Sequence, residues 1–128
     1  MKLERLDHFG IEVSDLARAE RFYTEVLGLS VVNRFGDHQV LLECGGQNLA
    51  LFRVARAPLS SSEREARIGH PLGKGHHAFT VSRADFTAAP ERLAAAGVEC
   101  AKPIDWGDHD CRYFLDPDGN LLEMVSYR

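Results

Sequence analysis

His8-Phe9-Gly10-Ile11-Glu12-Val13 and, sixty-eight positions later, His76-His77-Ala78-Phe79-Thr80-Val81 read as two versions of one strand. Side chains alternate between the faces of a strand. In the first copy Phe9, Ile11 and Val13 therefore share an apolar face, with His8, Gly10 and Glu12 opposite. In the second, Phe79 and Val81 take the apolar side, with His76, Ala78 and Thr80 opposite. A histidine opens the polar face each time, and the small residues Gly10 and Ala78 match.

Working outward, each strand leads into Ser and a helical pattern. Ser14-Asp15 caps a stripe of Leu16, Ala19, Phe22, Tyr23, Val26 and Leu27, and Gly28 suits the left-handed exit. The second helix is expected from Asp85-Phe86 through Leu93 and Ala96, closing at Gly97; Pro90 predicts a late start or a kink near Ala89. Strand and hairpin patterns follow each helix. Val40 to Phe52 aligns without gaps on Arg112 to Met124, with Gly45-Gly46 and Pro117-Asp118-Gly119 as the turns, and Leu51 falls at the place of Glu123. A period near half the chain means a duplicated module rather than a solenoid of short repeats. From Arg53 to Gly75 the chain is rich in Ser, Arg, Gly and Pro, which predicts an exposed connector ahead of a substrate lid; Ser62 and Glu65 there have capping-box spacing.

Composition narrows the function. At 128 residues, 45% hydrophobic and 27% charged, the chain suits one domain with a continuous core. A net charge of −4 with scattered Lys and Arg predicts no nucleic-acid partner. The first residues never form the apolar run of a signal peptide or membrane span, so no membrane partner is expected. Cys44, Cys100 and Cys111 are an odd number without CxxC spacing, which predicts neither disulfides nor a thiolate zinc site and favours a reducing cytoplasm.

Four strings carry a resemblance: Leu6 to Val13, Phe22-Tyr23-Thr24-Glu25-Val26-Leu27-Gly28-Leu29, Gly75-His76-His77-Ala78-Phe79, and Tyr113 to Glu123 with its Asp116-Pro117-Asp118-Gly119-Asn120 core. In this order the sequence resembles the vicinal oxygen chelate superfamily, which includes glyoxalase I, fosfomycin-resistance thiol transferases, extradiol dioxygenases and metal-free bleomycin-binding proteins. The resemblance implies an α+β fold of two tandem βαβββ modules, their curved mixed sheets around a cleft and helices on the outer faces. It implies one domain over residues 1–128, with module 1 at about 4–54, a connector at about 55–74 and module 2 at about 75–128.

The resemblance also carries metal-ligand roles onto His8, His76 and Glu123, two imidazoles and a carboxylate that leave positions open on one divalent ion per site. Fe2+ or Mn2+ is favoured, with Zn2+ or Ni2+ as alternatives. His76 rather than His77 is the expected ligand, because His76 holds the place of His8 while His77 shares the side of Phe79 and Val81. Alternation puts Glu123 among apolar neighbours, with Tyr113 across the hairpin from it, and an unpaired carboxylate there is costly. Tyr113 resembles the family's active-site tyrosine, and His109 in Trp106-Gly107-Asp108-His109-Asp110 is a candidate proton shuttle. Glyoxalase I resembles this chain but uses a second carboxylate where Leu51 stands, which disfavours that chemistry. The expectation is a metal-dependent enzyme acting on a small oxygen-chelating substrate, dioxygenase-like chemistry slightly ahead; the alternatives are a thiol transferase, and a metal-free drug- or metabolite-binding protein. A homodimer is expected, with His8 from one subunit and His76 and Glu123 from its partner.

Overall fold

The computed structural model describes all 128 residues, and the chain divides into two compact units, Met1–Ala57 and Pro58–Arg128. In the first unit β1 (His8–Val13) leads to α1 (Leu16–Arg21), then β2 (Ser30–Phe35), β3 (Gln39–Cys44) and β4 (Gln47–Arg53). The sheet order is β1-β4-β3-β2, with β1 parallel to β4 and the other pairs antiparallel. Asp15 caps α1 by accepting from the Arg18 amide at 2.9 Å. The helix then widens into a π-helical turn, Phe22–Val26. The Thr24 hydroxyl donates to the Glu20 carbonyl at 2.8 Å, the acceptor its own amide would use in a regular turn. The widened turn lets the adjacent Phe22 and Tyr23 both be buried, against Ile11, Val13, Val40, Leu42 and Leu51 on the helix side of the sheet.

The second unit repeats the plan after α2 (Ser61–Gly69): β5 (His77–Thr80), α3 (Arg83–Ala95), β6 (Ile104–Asp105), β7 (His109–Leu115) and β8 (Leu121–Tyr127), in sheet order β5-β8-β7-β6. Each unit is thus a βαβββ module with a four-stranded mixed sheet, as the duplicated pattern predicts. Phe86, Ala89 and Leu93 of α3 are buried on the side of Phe114, Leu122 and Met124. No helix is long and apolar enough to cross a membrane.

Three local expectations need correction. The second helix does not start late: Ser82 accepts from the Asp85 amide at 3.1 Å, the helix begins at Arg83, and it runs through Pro90. The loss of one hydrogen bond at proline is outweighed by burial of the apolar residues around it. The connector is not simply exposed, because α2 forms there with its capping box at Ser60 and Glu63 rather than Ser62 and Glu65. Its Ile68 packs on Cys111, Tyr113, Leu115 and Leu121, so α2 lies over the face of the second sheet that α3 leaves free. Arg64 donates to the Asp116 and Pro117 carbonyls, both at 3.3 Å, and Arg67 to the Gly119 carbonyl at 2.7 Å, which fastens the helix to the β7–β8 turn.

The third correction concerns Leu51. Glu123 pairs with Tyr113 and Ala78, and in the first unit it is Ala50 that pairs with the equivalent Leu41 and Gly10. The turn between paired Leu115 and Leu121 is one residue longer than that between Glu43 and Asn48, so a gapless alignment slips by one along the last strand. Leu51 faces the helix; Ala50 holds the place of Glu123 and is equally unable to ligate a metal.

Candidate functional site

Strand register assembles one site on the face of the second sheet opposite α3. β7 and β8 pair with Tyr113 opposite Glu123 and Cys111 opposite Val125, and the parallel pairing of Ala78 with Glu123 brings the chain just before β5 alongside. His76, one residue ahead of that strand, reaches Glu123 with Nε2 at 3.0 Å from Oε2. Its Nδ1 lies 2.7 Å from the Lys74 carbonyl. A carbonyl only accepts, so Nδ1 carries the hydrogen and Nε2 is the nitrogen presented to the carboxyl. The Tyr113 ring meets the imidazole edge to face, with centroids 5.3 Å apart.

Glu123 is 8% exposed, and its carboxylate needs partners. Besides His76, Tyr113 stands opposite it across the hairpin and Cys111 lies two residues along β7 on the same face. Burial first, then the Glu123 charge, pushes Tyr113 up to about 12. Burial first, then the nearby Glu123 carboxylate, pushes Cys111 up to about 11. Both groups therefore keep their protons at neutral pH. Beyond Cys111, the Trp106 indole Nε1 donates to its sulfur at 3.3 Å.

His77 points the other way, as alternation requires: it shares the face of Leu122, with which it pairs, and burial lowers its pKa. His8 belongs to the first unit, on the outermost strand of its sheet. Its Nδ1 lies 2.8 Å from Asp7 Oδ2, and its side chain is 49% exposed. The hydrogen bond from His8 holds the Asp7 carboxyl below its ordinary range. His109 lies on the face of Tyr113 but four residues along the strand, roughly 13 Å away at about 3.3 Å per residue. Its ring sits between Trp106 and Tyr127, with centroids at 6.4 and 5.1 Å, and its Nδ1 meets Asp108 Oδ1 at 2.6 Å. No group of three or more His, Cys, Asp or Glu side chains gathers as a ready metal cluster in the single chain.

Between α2 and the sheet, along the Lys74-Gly75 segment that leads to His76, is a cavity of about 480 Å³ whose wall includes Leu59, Glu63, Arg67, Lys74 and Leu121. Sequence reasoning missed Cys111 and Trp106 as partners of the site. Alternation along β7 holds the signal for Cys111, since it places residues 111 and 113 on one face.

Comparison with known proteins agrees with this architecture. The chain is 34% identical over 123 residues to a glutathione transferase FosA of Serratia marcescens, covering 95% of this chain and 80% of that protein. It is 30% identical to metapyrocatechase 2 of Cupriavidus necator, covering 93% of this chain but 32% of that one. A solved lactoylglutathione lyase from Agrobacterium tumefaciens superposes with a TM-score of 0.72 at 25% identity, over 98% of this chain and 96% of that one. The profile of the Glyoxalase/Bleomycin resistance protein/Dioxygenase superfamily matches residues 5–124. The chain belongs to that superfamily, the vicinal oxygen chelate proteins.

Proposed function

We propose that this protein is a divalent-metal-dependent enzyme acting on a small substrate that chelates the ion through oxygen, with His8, His76 and Glu123 as the ligands. One observation carries the reading: the Nδ1 of each histidine is tied, to Asp7 in one case and to the Lys74 carbonyl in the other, so each Nε2 is oriented for a ligand. On His76 that nitrogen already meets the Glu123 carboxyl at 3.0 Å, a contact that requires a proton on one of the two groups. These residues fit a divalent cation, which takes the place of that proton on the same atoms. Such an ion polarises the substrate oxygens bound to it.

The chain's own residues supply the rest. Tyr113, holding its proton, donates a hydrogen bond to charge developing on a substrate oxygen next to Glu123. The cavity under α2 takes the part of the substrate that does not chelate, with Glu63, Arg67 and Lys74 on its wall. His8 is half-exposed on an edge strand, which supports a homodimer in which His8 of one copy joins His76 and Glu123 of another. Thiol transfer ranks ahead of oxygen-dependent ring cleavage, reversing the order drawn from residues alone. The transferase relative is matched over 80% of its length and the ring-cleaving one over 32%.

The test is metal analysis of the purified protein alongside His8→Ala, His76→Ala and Glu123→Ala, each expected to lose the ion. Mixing His8→Ala with Glu123→Ala protein then rebuilds one intact site per heterodimer and restores part of the binding. Subunit exchange without recovered binding would refute shared sites. Turnover of an epoxide with glutathione, against turnover of a catechol with oxygen, decides the reaction class.

A further inference from the structure

The α3 side of the second sheet carries a separate group of charged side chains. Alternation along β7 puts Asp110 and Arg112 on the face opposite Cys111 and Tyr113, and Arg83 opens α3 beside them. A cavity of about 430 Å³ lies there, and its wall includes Arg83, Phe86, Asp105, Asp110, Arg112 and Arg128. Three arginines against two aspartates leave this wall at +1, on a chain whose formal net charge is −4. The carboxylates are unevenly shared. Asp110 Oδ1 accepts from Arg128 Nη2 at 3.0 Å and its Oδ2 from Arg83 Nη1 at 2.5 Å, while Asp105 Oδ1 lies 3.0 Å from the same Arg128 nitrogen. Arg128 also donates to the Gly107 carbonyl. Both aspartates are thus held by Arg83 and Arg128, and Arg112 has neither. Its Nη1 meets the Ala101 carbonyl at 3.4 Å, and its Nε is buried without a hydrogen-bond partner. The guanidiniums of Arg112 and Arg83 both stand over the Phe86 ring, 5.1 and 5.7 Å from its centroid.

We propose that this cavity is a binding site for a phosphomonoester, its phosphate held by Arg112 and Arg83. Guanidinium charge is permanent, and its planar fork of donors matches the oxygens of phosphate. Arg112 brings the charge that no aspartate offsets. Arg83 gives Asp110 a single nitrogen, so the rest of its fork remains for a ligand. Arg128 holds Asp110 from the other side, and Asp110 in turn fixes where Arg83 stands. The buried Phe86 ring backs both guanidiniums, and a cation shielded from water on one side attracts an anion more strongly. A carboxylate would offer two oxygens to these two forks, whereas a phosphate ester offers three and a second negative charge. The cavity is larger than a phosphate group and falls in the range of small-molecule sites, which begins at about 300 Å³, so it has room for the organic part of the ester. None of these residues belongs to the metal site proposed above, so anion binding here needs no metal.

The experiment is calorimetric titration of the full-length protein, in EDTA, with inorganic phosphate, methyl phosphate and acetate. It is repeated on Arg83→Gln, Arg112→Lys, Lys74→Gln and Glu123→Gln, with folding checked by circular dichroism. Both phosphates should bind, and acetate should bind about 10-fold more weakly or less. Arg112→Lys keeps the charge and loses the fork; Arg83→Gln removes a half-exposed charge and leaves the core alone. Each should weaken methyl phosphate by about 10-fold or more, the worth of a hydrogen bond to a charged group. Lys74→Gln and Glu123→Gln, on the other face of the sheet, should stay within about 2-fold of the unsubstituted protein. Failure of either phosphate to bind, or acetate as tight as methyl phosphate, overturns the proposal. So does a loss in Lys74→Gln with none in Arg83→Gln, which would put the anion in the cavity under α2. Should Arg112→Lys fail to fold, Arg83→Gln decides alone, and methyl phosphate affinity equal to that of the unsubstituted protein refutes the site.

Discussion

Replacing Asp116 by Ala should unfold the site from its turn. Asp116 is fully buried, and its Oδ1 accepts from the amides of Asp118 and Asn120, both at 2.9 Å, while Oδ2 accepts from the Asn120 side-chain amide at 2.7 Å. Alanine strands two backbone donors and one side-chain donor. Each buried donor left unsatisfied costs about 1–3 kcal/mol, and water can reach the half-buried Asn120, so the sum is about 3 kcal/mol. Asp116→Asn keeps an acceptor for both backbone amides and should cost only about 1 kcal/mol. At a urea slope of about 2 kcal/mol/M, the alanine variant loses about 1.5 M in midpoint.

The assay is urea unfolding followed by circular dichroism, with slopes compared so that only midpoint shifts are read as stability. The same turn joins Tyr113 to Glu123 and presents the carbonyls that Arg64 and Arg67 hold, so both variants should also lower metal affinity in the order of their destabilisation. An alanine variant within about 1 kcal/mol of the unsubstituted protein, or an asparagine variant as damaged as alanine, would show that these bonds do not carry the turn.

Further outcomes follow from the same geometry. His77→Ala should leave metal content unchanged while His76→Ala removes it, measured by elemental analysis, because only His76 faces Glu123. Tyr113→Phe should keep the metal and the fold but slow turnover by about 10²-fold or more, read as kcat on an identified substrate, since only the hydroxyl is lost. Gly119→Ala should lower the melting temperature by about 4 °C in calorimetry: its φ is +83°, and the added Cβ would lie 2.3 Å from Leu59 Cδ1, a flexible tip that can swing away.

The alternation of apolar and polar residues made the modules legible, because strand faces repeat every two residues and a buried face tolerates no slip. It also put His76 opposite His77 and Tyr113 across from Glu123, as the register bears out. The Ser60 cap and the docking of α2 were not legible. Three successive serines offer three start points, and the choice is made by Ile68 and two arginines meeting a turn some fifty residues away. The slip at Leu51 has a similar origin, since turn length is set by the Asp116 hydrogen bonds and not by the strand pattern. Trp106 was hidden because a loop side chain has no periodicity.

The two modules differ most where their registers correspond. The second holds Glu123 with Tyr113 opposite it and Cys111 on the same face; the first holds Ala50 with Leu41 and Gln39 at the same places. A buried carboxylate and its donors are a single energetic unit, for the charge is affordable only while the donors remain. Ala50→Glu tests that statement. Ala50 is fully buried against Leu41 and Gly10, so the new carboxylate would meet no hydroxyl or thiol, and desolvation should destabilise the protein by several kcal/mol in urea unfolding. Adding Leu41→Tyr supplies the missing hydroxyl at the place of Tyr113 and should recover about 1–2 kcal/mol. No recovery in the double variant would mean that Glu123 is stabilised by His76 rather than by the hydroxyl opposite it on β7.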